Sequence, residues 1–535
     1  MAVAVEQIRA PDMPPTDRSG PLNGTHDAYY GLTSKWPVAA DLAGSTLPCR
    51  LEGEIADLVV LGEIPAEIRG TFYRVMVDPA LPPVPGNVPL DGDGNISAFR
   101  FHDGRVDMKM RYVETERYKL ERKAGKSLFG LYRNPFSHHP CVQAAVDSTA
   151  NTNLILWANH LLALKESSLP YAVDPETLET RGYDPFHGQV KSKSFTAHPK
   201  IDPFTNELVV HGYEAKGLAT KDIVIYHLDA NGKKHDEQLI QSPWTGIIHD
   251  CAITPNFIVL FLWPFSADIE RMKRGGHHWA WDYNLPCTFL VVPRRPGKNL
   301  PPGWSPGEHR VYHWRNCMPI HTAGAWEEGN TIYIESSRVH DNLPAVDAKA
   351  DFVKWKLDLT LATNTRVPDA EVVLDVPSEF PRVDERFWTR PYDRVWLNVF
   401  MPSRSDGGKN LFHGVNGLAQ YSRAKGTTEY FYAGDDSLVQ EPVFIPRHEG
   451  AAEGDGWVMA MVERREANRN DIVVVDTRDF ERPVAIVQLP FHVKAQVNGN
   501  WVGAETGVGR TSLVRECYSD RVKRAFVADL PSYRD

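Results

Sequence analysis

Short apolar runs recur along the chain, each of strand length and each bounded by turn residues. LILWA, ELVVHGY, DIVIYHL, FIVLFLW, TIYIESS, WVMAMVE and DIVVVD are rich in β-branched and aromatic residues, and glycine, proline, asparagine and aspartate separate them. In FVKWKLDL the period is explicit. Val353, Trp355, Leu357 and Leu359 alternate with Lys354, Lys356 and Asp358, which predicts a strand with one wetted face. Segments with a helical period are scarce. Many short strands with dispersed turns predict an all-β sandwich, barrel or propeller.

A weak internal repeat narrows that choice. His198 in HPKIDPFTNELVV, His249 in HDCAITPNFIVL and His321 in HTAGAWEEGNTIYI each open a segment that passes through a turn into an apolar strand. The strand cores begin at Leu208, Phe257 and Thr331. A propeller repeats one supersecondary unit and sets the inner strands of its blades around a common axis, so residues distant in sequence converge there.

The chain has 535 residues, 42% hydrophobic and 24% charged, an ordinary globular composition. At about 100 to 200 residues per domain, three or four domains would be expected, unless one closed β-architecture holds the whole core. The repeat, together with the family resemblance drawn from the motifs below, favours the latter: a flexible lead-in over residues 1–45 and a single propeller domain over 46–535. Lysine and arginine number 59 against 69 acidic residues, a net charge of −10 without long like-charge runs, which argues against nucleic acid as a partner. The longest apolar stretch, Phe257 to Phe265, falls far short of the roughly 20 residues of a membrane-spanning helix. The N-terminus shows neither a secretory nor a transit pattern. Six cysteines without a CxxC pair argue against a thiolate metal site and a disulfide framework, and fit a reducing, cytoplasmic setting.

One histidine among twenty is by default a surface or core residue. Three at the same position of a repeated unit are different. Neutral imidazole is the commonest metal ligand, and a set without thiolates suits iron, zinc or copper. His198, His249 and His321 are therefore expected to hold a metal. His277, His278 and His313 lack the repeat context and are read as structural or surface residues.

GTFYRV at 70–75, DGDG at 91–94, PYAVDPETLET at 170–180, TAHPKIDP around His198, IIHDCAIT around His249, HTAGAWEE from His321, EFPRVD from Glu379 and EPVFIPR from Glu441 together resemble the carotenoid cleavage oxygenase family over most of the chain. The resemblance implies a seven-bladed β-propeller with a cap of loops and short helices over the metal site. It also implies an Fe(II) held on the axis by four histidines, and cleavage of a carbon–carbon double bond by O₂ into two carbonyl products. A ligating histidine commonly donates its other ring N–H to a carboxylate. In the family glutamates accept it, and Glu166, Glu379 and Glu441 stand in the matching motifs.

The family's last histidine ligand lies in a His-Gly context, where this chain reads QVNGNWVG, with Asn498 before Gly499. His492 is a poor replacement, because six residues of strand span about 20 Å. Asn498 is thus expected at the fourth metal position, where a carboxamide oxygen suits Fe(II) less well than imidazole and impairs activity. In the stilbene-cleaving branch a lysine before the glutamate works with a tyrosine of a YRNPF-like segment, and these positions hold Lys165 and Tyr132. Phe99, after DGDG, resembles an aromatic wall residue of that pocket. A phenol has a pKa of about 10, and an ammonium beside a tyrosine hydroxyl favours the phenolate, which feeds electron density into a conjugated alkene. The expected function is an Fe(II) dioxygenase that cleaves the central C=C bond of hydroxylated stilbenes, such as resveratrol or piceatannol, to two aromatic aldehydes. The alternatives are an apocarotenoid cleaver and a ligand-binding propeller impaired at Asn498.

Overall fold

Along the strand Phe257–Leu262, Ile258 and Leu260 face one neighbouring sheet while Phe257, Val259 and Phe261 face the other. A strand buried on both faces has no polar alternation, which is why so many runs read as continuously apolar. The segment Ala350–Asp358 lies near a sheet edge and keeps the alternation expected of it. Val353, Trp355 and Leu357 are buried, and Lys356 is exposed.

The computed structural model describes residues 35–36, 42, 46–340, 349–401, 415–510 and 512–514. The predicted lead-in over 1–45 lies outside the described residues apart from 35–36 and 42. The same holds for 515–535 at the end of the expected propeller domain. Seven sheets of four to six strands surround one axis as blades. Their inner strands are Gln496–Gly503, Asn153–Trp157, Lys200–Asp202, Cys251–Ile253, Met318–Glu328, Ser378–Arg382 and Val443–Pro446, taken in order around the ring. Seven apolar layers fill the spaces between consecutive blades. Among the described residues no helix is long and apolar enough to cross a membrane.

Two strand exchanges close the ring. The late strand Gln496–Gly503 pairs with Gly70–Val77, with Gly70 opposite Gly503 and Arg74 opposite Gly499. The early strand Val59–Gly62 in turn pairs with Asp479–Gln488, with Val59 opposite Gln488. The first exchange carries Asn498 onto the axis.

The repeat read from sequence corresponds to the entry of three successive blades. His198 and His249 stand two residues ahead of the inner strands Lys200–Asp202 and Cys251–Ile253. His321 departs slightly, since it lies within Met318–Glu328, a longer strand with register shifts near this residue.

The cap is built between blades on the side where the inner strands begin. Its helix Glu116–Ala124 starts at Thr115, whose side chain accepts from Tyr118 N at 3.0 Å, and stops at Gly125 with φ 67°. Arg117 of this helix donates twice to Asp91, each bond 2.9 Å, and once to Asp147 at 3.1 Å. Glu121 accepts from the N–H groups of Leu128 and Phe129. The DGDG motif thus anchors the cap, and Gly94 has no room for a side chain because a Cβ there would meet Ala150 O at 2.2 Å. Thr115→Ala is expected to lower stability by about 1 kcal/mol, measured by denaturant melts.

Candidate metal centre

The three repeat histidines converge. Their ligand atoms lie within 4.8 Å of one another, and the ring centroids of His198 are 4.5 Å from His249 and 4.9 Å from His321. The Nε2 atoms of His249 and His321 are 3.1 Å apart. Two imidazoles bound to one ion at about 2.1 Å and nearly right angles are separated by about 3 Å. The opposite ring nitrogens are spoken for: His249 Nδ1 meets Glu166, and His321 Nδ1 meets Glu379 Oε2 at 2.6 Å. Such bonds fix the tautomer and leave Nε2 with a free lone pair.

Electrostatics follow from this packing. Burial, and then the two neighbouring imidazoles, hold His198 well below the usual histidine range, so it is neutral at neutral pH. Burial also pulls His321 down, but the Glu379 carboxylate outweighs it and the group is raised. Burial works upward on Glu166, yet His249 and Tyr213 more than offset it and keep the carboxylate charged.

Asn498 is buried at 1% exposure on the inner strand Gln496–Gly503, which adjoins Asn153–Trp157 in the ring. Its Nδ2 donates to Thr152 O at 2.8 Å, which leaves Oδ1 buried and without a hydrogen-bond partner among the described residues. His198 Nε2 is buried and unpartnered in the same way. Orphaned buried polar atoms are costly in a folded protein. Three converging imidazoles form a donor set that fits a divalent metal, and the orphaned Asn498 oxygen lies on another inner strand of the same ring.

Glu441 departs from expectation and orients no imidazole. With asparagine at 498, its Oε2 accepts from Gly499 N at 2.9 Å and its Oε1 from Arg382 at 3.0 Å. Glu166 and Glu379 each meet the Nδ1 of a cluster histidine, His249 and His321 respectively. His492 stays outside the cluster, 4.0 Å from Glu463, as the strand spacing predicts. His313 lies in the strand Arg310–His313, away from the axis, while His278 is fully buried against Glu214 at 2.9 Å.

On the cap side, Lys165 directly precedes Glu166. Its Nζ lies 5.0 Å from the Tyr132 ring centroid, is buried, and has no hydrogen-bond partner among the described residues. Burial pulls this ammonium below the usual lysine range, opposed by the carboxylates of Asp147 and Asp91. Burial, and then Glu166, push the Tyr132 phenol upward, so it keeps its proton as a donor. Tyr132 packs on the apolar layer that contains Trp263 and Trp279, and Trp263 lies 4.9 Å from His249 between ring centroids. An aromatic wall therefore runs from the histidines to the Lys165–Tyr132 pair.

Phe99 is a correction. It is fully buried in the strand Gly94–His102, packed with Phe72 and Met108 in the layer between the first and last blades. Strand alternation turns its side chain into the layer between two sheets. Sequence reasoning also missed Tyr213, whose hydroxyl donates to Glu166 Oε2, and Arg133, which donates to Tyr213. These contacts bridge distant segments, and the only local signal was the adjacency of Arg133 to Tyr132. A cavity of about 290 Å³ reaches His198 and His321 and is lined as well by Lys200, Asp250, Arg382 and Asn500.

The sequence profile described as retinal pigment epithelial membrane protein matches residues 46–503. The chain is 62% identical over 532 residues to resveratrol cleavage oxygenase 1 of Botryotinia fuckeliana, covering 96% of each chain. It is 39% identical over 523 residues to carotenoid cleavage oxygenase 1 of Neurospora crassa, covering 91% of this chain and 96% of that relative. The crystal structure of Pseudomonas brassicacearum lignostilbene dioxygenase superposes with a TM-score of 0.82 at 36% identity, covering 88% of this chain and 100% of that one.

Proposed function

The chain belongs to the carotenoid oxygenase family, whose profile carries the name retinal pigment epithelial membrane protein, and from that premise we propose that it is an Fe(II)-dependent dioxygenase. Its reaction is cleavage of the central C=C bond of hydroxylated stilbenes such as resveratrol or piceatannol into two aromatic aldehydes. One observation carries the choice of substrate. Lys165 is a buried ammonium without a hydrogen-bond partner among the described residues, set over Tyr132 and joined through the next residue, Glu166, to a histidine of the metal cluster. A polyene hydrocarbon has nothing for a buried ammonium to bind. A phenol does.

His198, His249 and His321 would hold the iron, with the Asn498 carboxamide oxygen in the fourth place, and bound iron would supply the activation of dioxygen. Glu166 and Glu379 keep the His249 and His321 rings in register. Lys165 and Tyr132 direct their N–H and O–H groups at the 4-hydroxyl of the substrate and stabilise its phenolate, so that negative charge moves along the conjugated path to the alkene. The wall of Trp263 and Trp279 takes the flat aromatic body and excludes water. The site residues act on one small molecule, and a cytoplasmic setting belongs to this reading. The free thiols of Cys49, Cys141, Cys251, Cys287 and Cys317 support that setting.

The second reading, an apocarotenoid cleaver, draws on the similarity to the Neurospora crassa relative. A substrate panel separates the two. Iron-loaded protein is expected to give two aromatic aldehydes from resveratrol and none from C30 or C40 polyenes, measured by chromatography with mass detection. Polyene cleavage without stilbene cleavage would reverse the assignment.

A further inference from the structure

Arg133 follows Tyr132 on the cap loop and adopts a left-handed backbone, φ 55°. Two groups hold that conformation: His278 Nδ1 meets the Arg133 carbonyl at 2.8 Å, and Glu214 pairs with the guanidinium while accepting from His278 Nε2 at 2.9 Å. The guanidinium also lies over the rings of Tyr213, 5.0 Å to the centroid, and Trp279, 5.3 Å. Its Nη1 donates to the Tyr213 oxygen at 2.6 Å.

That last bond has a consequence for proton placement. A guanidinium has no acceptor, so the Tyr213 proton cannot point toward Arg133 and must go to the remaining partner, Glu166 Oε2. With Oε2 occupied, Oε1 is the oxygen that takes the His249 Nδ1–H. An unbroken chain thus runs from the backbone beside Tyr132, through Arg133, Tyr213 and Glu166, to His249. All its side chains are largely buried, where hydrogen bonds are strong and a missing partner is costly.

We infer that Tyr213 is a positioning residue that ties the metal ligand His249 to the loop carrying Tyr132, so that metal binding and phenol binding strengthen each other. This rests on the metal and stilbene readings above and extends them to residues that touch neither metal nor substrate. Reciprocity follows from linkage: if metal tightens phenol binding through this chain, phenol tightens metal binding by the same factor.

The test uses cobalt(II), which reports binding through its visible absorption without turnover. Tyr213→Phe is expected to bind cobalt about 10-fold more weakly than the parent, the scale of losing an outer hydrogen-bond partner of a metal ligand. Arg133→Gln should weaken it in the same direction, and gives a second reading should the phenylalanine variant fold poorly. Tyr226→Phe is the control. Tyr226 is fully buried in the same blade and its hydroxyl bonds Ser194 O at 3.3 Å, outside the chain, so cobalt affinity should stay at the parent value. Anaerobic titration with 4-hydroxystilbene completes the cycle: cobalt should tighten stilbene binding in the parent, and Tyr213→Phe should abolish that gain. Parent affinities for cobalt in both network variants, or equal weakening in Tyr226→Phe, would overturn the inference alone. Failure of the parent to bind cobalt would overturn the metal reading beneath it.

Discussion

Asn498→His is expected to raise iron content after dialysis and stilbene turnover together, each by at least about 10-fold. The loss of a mere outer partner of a ligand costs that much, and a direct ligand counts for more. Residue 498 sits on an inner strand of the same ring as the three histidines, and its Oδ1 is buried and unpartnered among the described residues. Glu441 Oε2 already accepts from the next peptide, Gly499 N, so a carboxylate is at hand for an imidazole placed at 498. Imidazole also suits Fe(II) better than a carboxamide oxygen. Iron measured by elemental analysis and aldehyde release from resveratrol are the two readouts. If neither rises, residue 498 has no part in holding the metal.

The second large effect is expected at Lys165. Lys165→Met keeps the length of the side chain and removes its charge, and should lower kcat/KM for 4-hydroxystilbenes by about 100-fold, the scale of deleting one preorganised donor in a dry site. Iron content should not change, because Lys165 touches no histidine. Stability should not fall either. An ammonium buried beside Asp147 and Asp91 with no hydrogen-bond partner of its own is costly to the folded state, and an apolar replacement relieves part of that cost. Tyr132→Phe should reduce the same rate to a smaller degree. Neither change should matter for a stilbene that lacks the 4-hydroxyl. Equal losses on hydroxylated and unhydroxylated stilbenes would remove both residues from phenol recognition.

The blades were legible in the sequence because propeller strands are short, β-rich and separated by turns, and the histidine repeat marked the first strand of three of them. Ring closure was not. The pairing of Val59–Gly62 with Asp479–Gln488 depends on residues at opposite ends of the chain, and no local period encodes it. His198, His249 and His321 could be found from their common place in a repeat, and Lys165 and Glu166 from one motif. Phe99 was misplaced for a reason that recurs in β-proteins: adjacent strand positions face opposite ways, so proximity to the DGDG motif says nothing about direction. Tyr213 and Arg133 matter through hydrogen bonds that span blades and cap, and such contacts have no signature in one sequence. Glu441 matched its motif and yet meets Arg382 and the Gly499 peptide instead of an imidazole.

The most direct test of the account is the product analysis of resveratrol incubated aerobically with the parent protein loaded with excess Fe(II), set beside His249→Ala treated identically. Two aromatic aldehydes in equal amounts are expected from the parent and none from the variant. No aldehyde from the loaded parent, or the same yield from His249→Ala, would contradict it.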